Sequence, residues 1–224
     1  MVIEMSADDH AKVSAAISAA EAGTDGEIVA ITAETSDFYH DVGLHYAVAI
    51  LFLNLAALAA WPGLLDWWWS WFAGWSAPLT LQETLTLVLV VALVKFLVVL
   101  YIMKWMPLRL ALTPGATKTR RVRRRALMLF KAAAERRTVG RTGVIIYLSM
   151  GERRAEIIGD EAITAVTTPE TWGEAMAALL VEVKAGRPGD GIVAAVDRVG
   201  KVLAEHFPKT SADLNEIPDK LIEL

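Results

Sequence analysis

Residues 141–163 read RTGVIIYLSMGERRAEIIGDEAI, and this stretch decides the fold. Its residues 143–150 (GVIIYLSM) are apolar at nearly every position, as in a central strand that is covered on both faces. A polar turn at residues 151–154 (GERR) leads to a second short strand at residues 155–159 (AEIIG). The stretch therefore predicts a β-hairpin inside an α/β domain.

Helical patterns flank this hairpin. Upstream, residues 117–136 place apolar side chains on one stripe and arginines opposite, which predicts an amphipathic helix. Downstream, we predict helices at residues 169–185, with proline in the first turn, and at residues 190–206. The predicted domain has about four helices on a mixed sheet, in two or three layers.

The N-terminal 43 residues supply one more helix and one more strand. Ser6 is placed to cap a helix that runs to about Ala22, and residues 27–33 (EIVAITA) predict a short strand. A lone helix and strand cannot bury their apolar faces, so they need the rest of the domain. The first 43 residues carry nine acids and one lysine, whereas residues 107–224 carry 19 basic and 15 acidic residues. Opposite net charges favour association of these two pieces.

Two apolar segments separate the pieces. The chain is 54% hydrophobic and 21% charged, with a mean hydropathy of +0.40. The excess lies in residues 44–61, extended by Val42 and Gly43, and in residues 81–106. A membrane-spanning helix needs about 20 apolar residues, so we predict two transmembrane helices. A buried core helix is the alternative, and it suits the shorter first segment better than the second.

Tryptophan is concentrated between these segments. Because the ring is apolar and its N–H needs a polar partner, such a cluster predicts a helix at the membrane–water interface. A ligand-stacking surface and a protein contact are the alternatives. The residues of this predicted interfacial belt are Trp61, Trp67, Trp68, Trp69, Trp71 and Trp75.

Lysine and arginine predict the orientation. Residues 62–80 contain neither, whereas a basic stretch follows the second segment. The positive-inside rule then places both termini in the cytoplasm, and we predict a two-span protein of the bacterial cytoplasmic (inner) membrane. Anionic lipid headgroups are the expected partners of the basic stretch, besides the acidic N-terminal piece, and nucleic acid is not expected. The predicted headgroup contacts are Arg120, Arg121, Arg123, Arg124 and Arg125.

One full charge lies deep in a predicted span. Lys95 is near the middle of the second segment, and Asn54 is near the middle of the first. A buried lysine is costly and usually has a partner, so we predict an intramembrane Asn54–Lys95 pair. The pair is interpreted either as a polar clamp or subunit contact, or as a lysine that merely has one polar neighbour.

Metal and thiol chemistry is restricted by composition. The chain has no cysteine, which excludes disulfides, cysteine-ligated zinc, iron–sulfur clusters and thiol catalysis. Its four histidines form neither an HExxH motif nor a pair at i, i+4 spacing, which argues against a histidine metal site.

Several motifs together resemble a known family, the TPM domain. They are DGEIVAITAE (25–34), TGVIIYLS (142–149), the turn ERR (152–154), GD (159–160) and GRPGDGIVAAV (186–196). The family includes thylakoid-lumen and bacterial membrane-anchored proteins, and one plant branch is described as an acid phosphatase. The resemblance covers residues 1–40 and 117–207. It implies a TPM-like mixed sheet flanked by helices, interrupted here by a two-helix transmembrane hairpin.

The resulting domain scheme has four parts. Residues 1–41 supply the first helix and strand, and residues 42–106 form the transmembrane hairpin with its tryptophan-rich loop. Residues 107–207 complete the TPM-like domain, and residues 208–224 form a C-terminal tail.

The resemblance also implies candidate metal ligands, because some family members bind a divalent cation at strand ends. The matching positions are Asp160, Asp190 and, more weakly, Glu161, whose carboxylates would suit Ca²⁺ or Mg²⁺. In the sequence PGDG, Asp190 can instead act as a helix N-cap. Arg153 and Arg154 are candidate phosphate contacts, or exposed arginines of a turn.

No residue stands out as a nucleophile or as the base for an activated water. We therefore expect a non-enzymatic interaction or scaffolding module at the cytoplasmic membrane face, which contacts lipid, another membrane protein or a second copy. The alternative is a divalent-metal-dependent phosphatase or related hydrolase.

Overall fold

The computed structural model describes residues 5–73, 79–133, 142–168, 170–210 and 218–224. The elements found in these residues are α1 (Ala7–Glu21), β1 (Glu27–Ala33), α2 (His40–Ala60), α3 (Gly63–Ala73), α4 (Leu81–Ile102), α5 (Met106–Leu112), α6 (Gly115–Ala133), β2 (Gly143–Ser149), β3 (Arg154–Gly159), α7 (Glu161–Val166), α8 (Gly173–Lys184), α9 (Pro188–His206) and β4 (Ile222–Glu223).

The chain divides into two compact units. The α/β unit comprises Met1–Asp37 and Pro114–Leu224, and the helical unit is Phe38–Thr113. The chain therefore passes between the units twice. The sequence analysis had placed these boundaries after residues 41 and 106.

A four-stranded mixed sheet organises the α/β unit, in the order β3-β2-β1-β4. Strands β1 and β2 are parallel and pair from Glu27↔Gly143 to Ala33↔Ser149. Strand β3 is antiparallel to β2, as the predicted hairpin requires, and β4 adds a short parallel pairing to β1. The predicted mixed α/β fold is confirmed.

The sheet is covered on both faces, which explains why β1 and β2 are apolar at almost every position. Alternate residues such as Ile28 and Ile146 pack with α1, α8 and α9 on one face. The intervening residues, including Ile31 and Ile145, pack against α6 on the other. Because successive side chains of a strand point to opposite faces, each face receives its own apolar row. The unit thus has three layers.

Small residues bring α1 and α9 together. A Cβ on Gly200 would lie 2.7 Å from the Ala20 Cβ, and one on Gly189 would lie 2.1 Å from the Asp9 Oδ1. The two helices therefore run parallel, with their N-terminal turns side by side. A capping box between Ser6 and Asp9 begins α1, as the sequence predicts at Ser6.

Several helix boundaries differ from the predictions. The second apolar helix ends at Ile102 rather than at residue 106. Pro107 has no N–H to donate to the Met103 carbonyl, so the helix cannot continue and α5 begins anew. Helix α8 begins at Gly173 rather than at residue 169, which lies outside the described residues.

The last helix begins at Pro188, because proline has the φ angle of a first helical turn. Asp190 is therefore inside the first turn and is not the N-cap, so the predicted N-cap role is wrong. Arg187 is the cap residue.

Candidate functional site

The helical unit exposes large apolar side chains on two of its helices. Among the described residues, α2 and α4 are long and apolar enough to cross a membrane. Leu53 and Leu89 are each 67% exposed, and Ala92 is the buried residue of α4. These helices lack the polar face that a helix at a protein–water boundary has.

The structure brings Asn54 and Lys95 together across α2 and α4. The Lys95 Nζ donates a hydrogen bond to the Asn54 Oδ1. Asn54 is buried, and its Nδ2 has no hydrogen-bond partner in the structure. The pair joins two otherwise apolar helices through one charge-assisted hydrogen bond.

The tryptophans of α3 divide into two groups. Trp67 and Trp71 meet edge to face with ring centroids 5.7 Å apart. Trp68 and Trp69 line a cavity of about 430 Å³ together with α4 residues from Leu87 to Lys95. Part of the predicted belt thus faces another helix. Trp61 is exposed just before α3, and Trp75 lies outside the described residues.

Arg109 donates hydrogen bonds to several backbone carbonyls at one end of the helical unit. Its guanidinium is buried, and its Nε donates to the Met103 carbonyl at 2.6 Å while its Nη2 donates to the Lys104 carbonyl at 3.1 Å. Its Nη1 donates to the Phe38 carbonyl and lies 3.3 Å from the His40 Nδ1. Arg109 thus bonds carbonyls that Pro107 and the end of α4 leave without helical partners. The sequence analysis counted it only as a basic residue, although Pro107 was a signal that these carbonyls need a donor.

The arginines of α6 fall into two sets. Arg121 Nη1 forms a 2.9 Å ion pair with Asp37, and Arg125 is partly buried beside the sheet. Burial raises the pKa of Glu156, and the charges of Arg123 and Arg154 partly offset this rise. Arg120 and Arg124 are exposed on the side of α6 that faces away from the sheet.

A closed polar cluster lies where β1 and β2 end. The Ser36 N–H donates to the Glu152 Oε1 at 2.8 Å, and the Ser149 hydroxyl donates to the other carboxylate oxygen. Ser36 Oγ lies 3.0 Å from the Tyr147 hydroxyl, whose pKa is raised chiefly by burial. Ser149 is fully buried, so a substrate cannot reach its hydroxyl in this conformation. The cluster fastens the segment after β1 to the β2–β3 turn.

The candidate metal ligands lie at different places. Asp160 is the N-cap of α7, where its Oδ1 accepts the Glu161 N–H at 2.7 Å, and its own N–H donates to the Gly143 carbonyl at the start of β2. Asp190 lies 3.5 Å from Arg187, in the turn of α9 beside the start of α1.

Since the end of α1 meets the start of β1, Asp160 and Asp190 occupy opposite ends of the sheet. The described residues contain no group of three or more carboxylates or histidines that could hold a metal ion.

The two candidate phosphate contacts also separate. Arg153 adopts a left-handed conformation, with φ 51°, in the β2–β3 turn. Arg154 begins β3, and its Nη2 lies near Gly115 at the start of α6.

Two carboxyl groups, those of Glu21 and Asp219, lie close together where the C-terminal segment contacts α1, and no motif in the sequence indicates this pair. Glu21 Oε1 accepts the Ile28 N–H at 2.7 Å, and its side chain also meets Asp219. Burial, followed by smaller contributions from Glu27 and Asp219, raises the pKa of Glu21 to about 8. Asp219 also accepts a 2.6 Å hydrogen bond from the Ser18 hydroxyl. At neutral pH a protonated Glu21 can therefore donate to Asp219.

Comparison with known proteins identifies the fold. Residues 112–202 match the model of the TPM domain family. The solved structure "NMR structure of BA42 protein from the psychrophilic bacteria Bizionia argentinensis sp. nov." is similar with a TM-score of 0.56 and 17% identity. That similarity covers 98% of this chain and 95% of the other, and at this identity it concerns the fold alone. No curated protein matches the chain significantly.

Proposed function

The chain carries a TPM domain, and we propose that α2 and α4 anchor this domain in a membrane, where it acts as a non-enzymatic interaction module. The observation that carries the proposal is the apolar surface of the two helices, on which large side chains are exposed wherever the helices do not contact each other. Water would penalise this surface, whereas hydrocarbon would not.

Charge supports a cytoplasmic position for the α/β unit. Helix α6 carries seven basic and no acidic residues, and it follows α4 by a short connection. The positive-inside rule counts basic residues close to a span, so it favours the cytoplasmic side for this end of the hairpin. We propose the bacterial cytoplasmic membrane, with both termini inside.

The anchor is tested by alkaline carbonate extraction of membranes that contain the full chain. We expect wild type to stay in the membrane fraction and Leu89→Arg to lose insertion of α4, since arginine costs about 3 kcal/mol at the centre of a span. Val181→Arg is the matched control, because Val181 is an exposed apolar residue of α8 in the α/β unit. Extraction of the wild type into the supernatant would overturn the anchor.

Topology is tested with single cysteines, since the chain has none of its own. A membrane-impermeant maleimide should label Gly63→Cys in intact spheroplasts, and Lys184→Cys only after lysis. The reverse pattern would place the α/β unit outside the cytoplasm.

The non-enzymatic role is supported by the burial of Ser149 and by the separation of Asp160 from Asp190. The phosphatase alternative is tested with a phosphomonoester assay in the presence of Ca²⁺, Mg²⁺ or Mn²⁺. We expect no turnover and no metal-dependent rise in melting temperature. Turnover that Asp160→Asn abolishes would favour the phosphatase.

A further inference from the structure

One side of α6 combines cations with exposed apolar side chains. Leu127 is 40% exposed and Met128 is 48% exposed, although both belong to the folded α/β unit. The helical spacing places them on the same side as three exposed basic residues. We call this side the α6 outer face, and its residues are Arg120, Arg124, Leu127, Met128 and Lys131.

The opposite side of α6 is committed to the protein. Val122, Ala126 and Phe130 are buried against the sheet. Arg121 forms an ion pair with Asp37, and Arg125 is half-buried. Arg123 is exposed, although its charge lowers the pKa of Glu156. The outer face therefore carries three of the four exposed basic residues of α6, the fourth being Arg123.

We propose that the α6 outer face docks on anionic lipid headgroups, with Leu127 and Met128 inserted at the boundary of the acyl chains. This inference rests on the proposed membrane anchor and names the partner of the anchored domain. Arginine and lysine keep their charges at the headgroups while their stems cover apolar surface, which is the arrangement of interfacial amphipathic helices.

Charge and shape favour lipid over the other partners. The helix carries no acidic residue that would repel an anionic surface. A nucleic acid would contact the cations but would leave Leu127 and Met128 in water. A bilayer offers an anionic layer directly above an apolar one, which matches both parts of the outer face.

The absence of native cysteine makes a direct test simple. Met128→Cys carries one environment-sensitive fluorophore, and the full chain is reconstituted in nanodiscs of phosphatidylcholine with or without phosphatidylglycerol. Quenching by spin-labelled acyl chains and by aqueous iodide reports the docked fraction. We expect acyl-chain quenching only with phosphatidylglycerol, and its loss when salt rises from about 0.1 M to about 1 M, because the Debye length falls from about 10 Å to about 3 Å.

Matched variants separate a surface-specific contact from net charge. Replacing Arg120, Arg124 and Lys131 by Gln should weaken docking roughly a hundredfold, at about fivefold per residue. Replacing Lys184, Arg198 and Lys201 by Gln removes the same charge from exposed positions of α8 and α9 and should leave docking unchanged. The double variant Arg120→Lys and Arg124→Lys should also preserve docking, because an anionic lipid surface attracts positive charge and does not require the geometry of a guanidinium group.

Three results would overturn the proposal. A label that iodide reaches equally in both lipids, in a chain that remains in the discs, excludes docking and leaves the anchor intact. A label that is shielded equally in both lipids indicates a protein contact instead. A chain that does not enter the discs overturns both the anchor and the docking.

Discussion

Helices α4 and α9 are similar in length but differ in what covers them. Helix α9 spans 19 residues, and its apolar side is buried in the core of the α/β unit. Helix α4 spans 22 residues, and its one buried residue is Ala92. The buried residues of α9 are Pro188, Gly189, Gly191, Ile192, Ala195, Val196, Val199, Gly200 and Leu203.

The difference shows what a periodic pattern reports. A helix that is half covered by protein needs a polar side where it faces water. The apolar and polar residues of α9 therefore alternate with the period of a helix. A helix surrounded by hydrocarbon would be under no such requirement, and after its first turns α4 is apolar at almost every position except Lys95. A leucine in α9 should therefore contribute far more to the free energy of unfolding than a leucine in α4.

The largest effect is expected from Leu203→Ala. Leu203 is fully buried and packs beside Gly26, where an added Cβ would lie 2.9 Å from its Cδ1. The truncation removes apolar contacts and leaves a cavity, so we expect the free energy of unfolding to fall by about 2–5 kcal/mol. Leu89→Ala in α4 is the matched change at a position that is 67% exposed, and it should cost far less. Denaturant unfolding of the purified chain in micelles measures the loss of free energy of unfolding in each variant. Equal losses would show that the two positions are equally covered by protein.

A pH effect is expected next, and it concerns the α/β unit alone. Glu21 is 7% exposed, and its pKa is raised from 4.5 to about 8. Because the native state holds a proton that the unfolded state releases, stability is greatest below about pH 4.5 and declines as the pH rises towards 8. Glu21→Gln keeps the acceptor for the Ile28 N–H and should remove most of this slope, with a gain on the order of 3 kcal/mol at pH 8.

Glu205→Gln, at an exposed position of α9, is the control for the loss of one carboxylate. Melting curves between about pH 5 and pH 8 provide the measurement. A slope that survives Glu21→Gln would show that the titration of Glu21 is not its cause.

The next prediction concerns the Asn54–Lys95 hydrogen bond in the helical unit. Asn54→Leu leaves the Lys95 ammonium among apolar side chains, and we expect a loss of about 1 kcal/mol, as is usual for hydrogen bonds between membrane helices. Lys95→Leu, and Asn54→Leu combined with Lys95→Leu, should be close to wild type because no charge remains to be solvated. Unfolding of the wild type and the three variants in mixed micelles completes a double-mutant cycle. If the losses of free energy of unfolding in the two single variants add up to the loss in the double variant, the two side chains are not coupled.

Local sequence signals predicted most of the α/β fold. The capping residue Ser6, the strand Glu27–Ala33 and the hairpin of β2 and β3 all depend on neighbours in the chain. The break after Ile102 was also visible in principle, since Pro107 cannot complete the hydrogen bond to the Met103 carbonyl.

The candidate sites were less predictable because they depend on contacts between distant segments. Arg121 and Arg124 look alike in the sequence, yet Arg121 pairs with Asp37, 84 residues away, and Arg124 is exposed. The Glu21–Asp219 contact similarly depends on the C-terminal segment, whose β4 pairs with β1 far away in the sequence. The sequence predicts that Asp160 and Asp190 lie at the ends of helices or strands. Only the topology shows that they lie at opposite ends of the sheet.

The smallest effects compare the same motif in both units. Ser6 with Asp9 and Thr80 with Glu83 form equivalent capping boxes at the starts of α1 and α4. Ser6→Ala should lower the free energy of unfolding by about 1 kcal/mol, because the first turn of α1 also positions Asp9 against Gly189. Thr80→Ala should cost less, because in the proposed membrane placement water and headgroups can accept hydrogen bonds from the freed N–H groups.

Acid provides a second test of the α1 capping box. The hydrogen bonds from Ser6 lower the pKa of Asp9 below its usual 3.8, so the capping box of α1 stabilises above that pH and its contribution is lost as the pH falls through the lowered pKa. The difference between Ser6→Ala and wild type should therefore shrink in acid. Paired unfolding curves at neutral and acidic pH measure this change. Equal costs for Ser6→Ala and Thr80→Ala at neutral pH would mean that the start of α4 is as dependent on its own cap as a helix in the folded α/β unit.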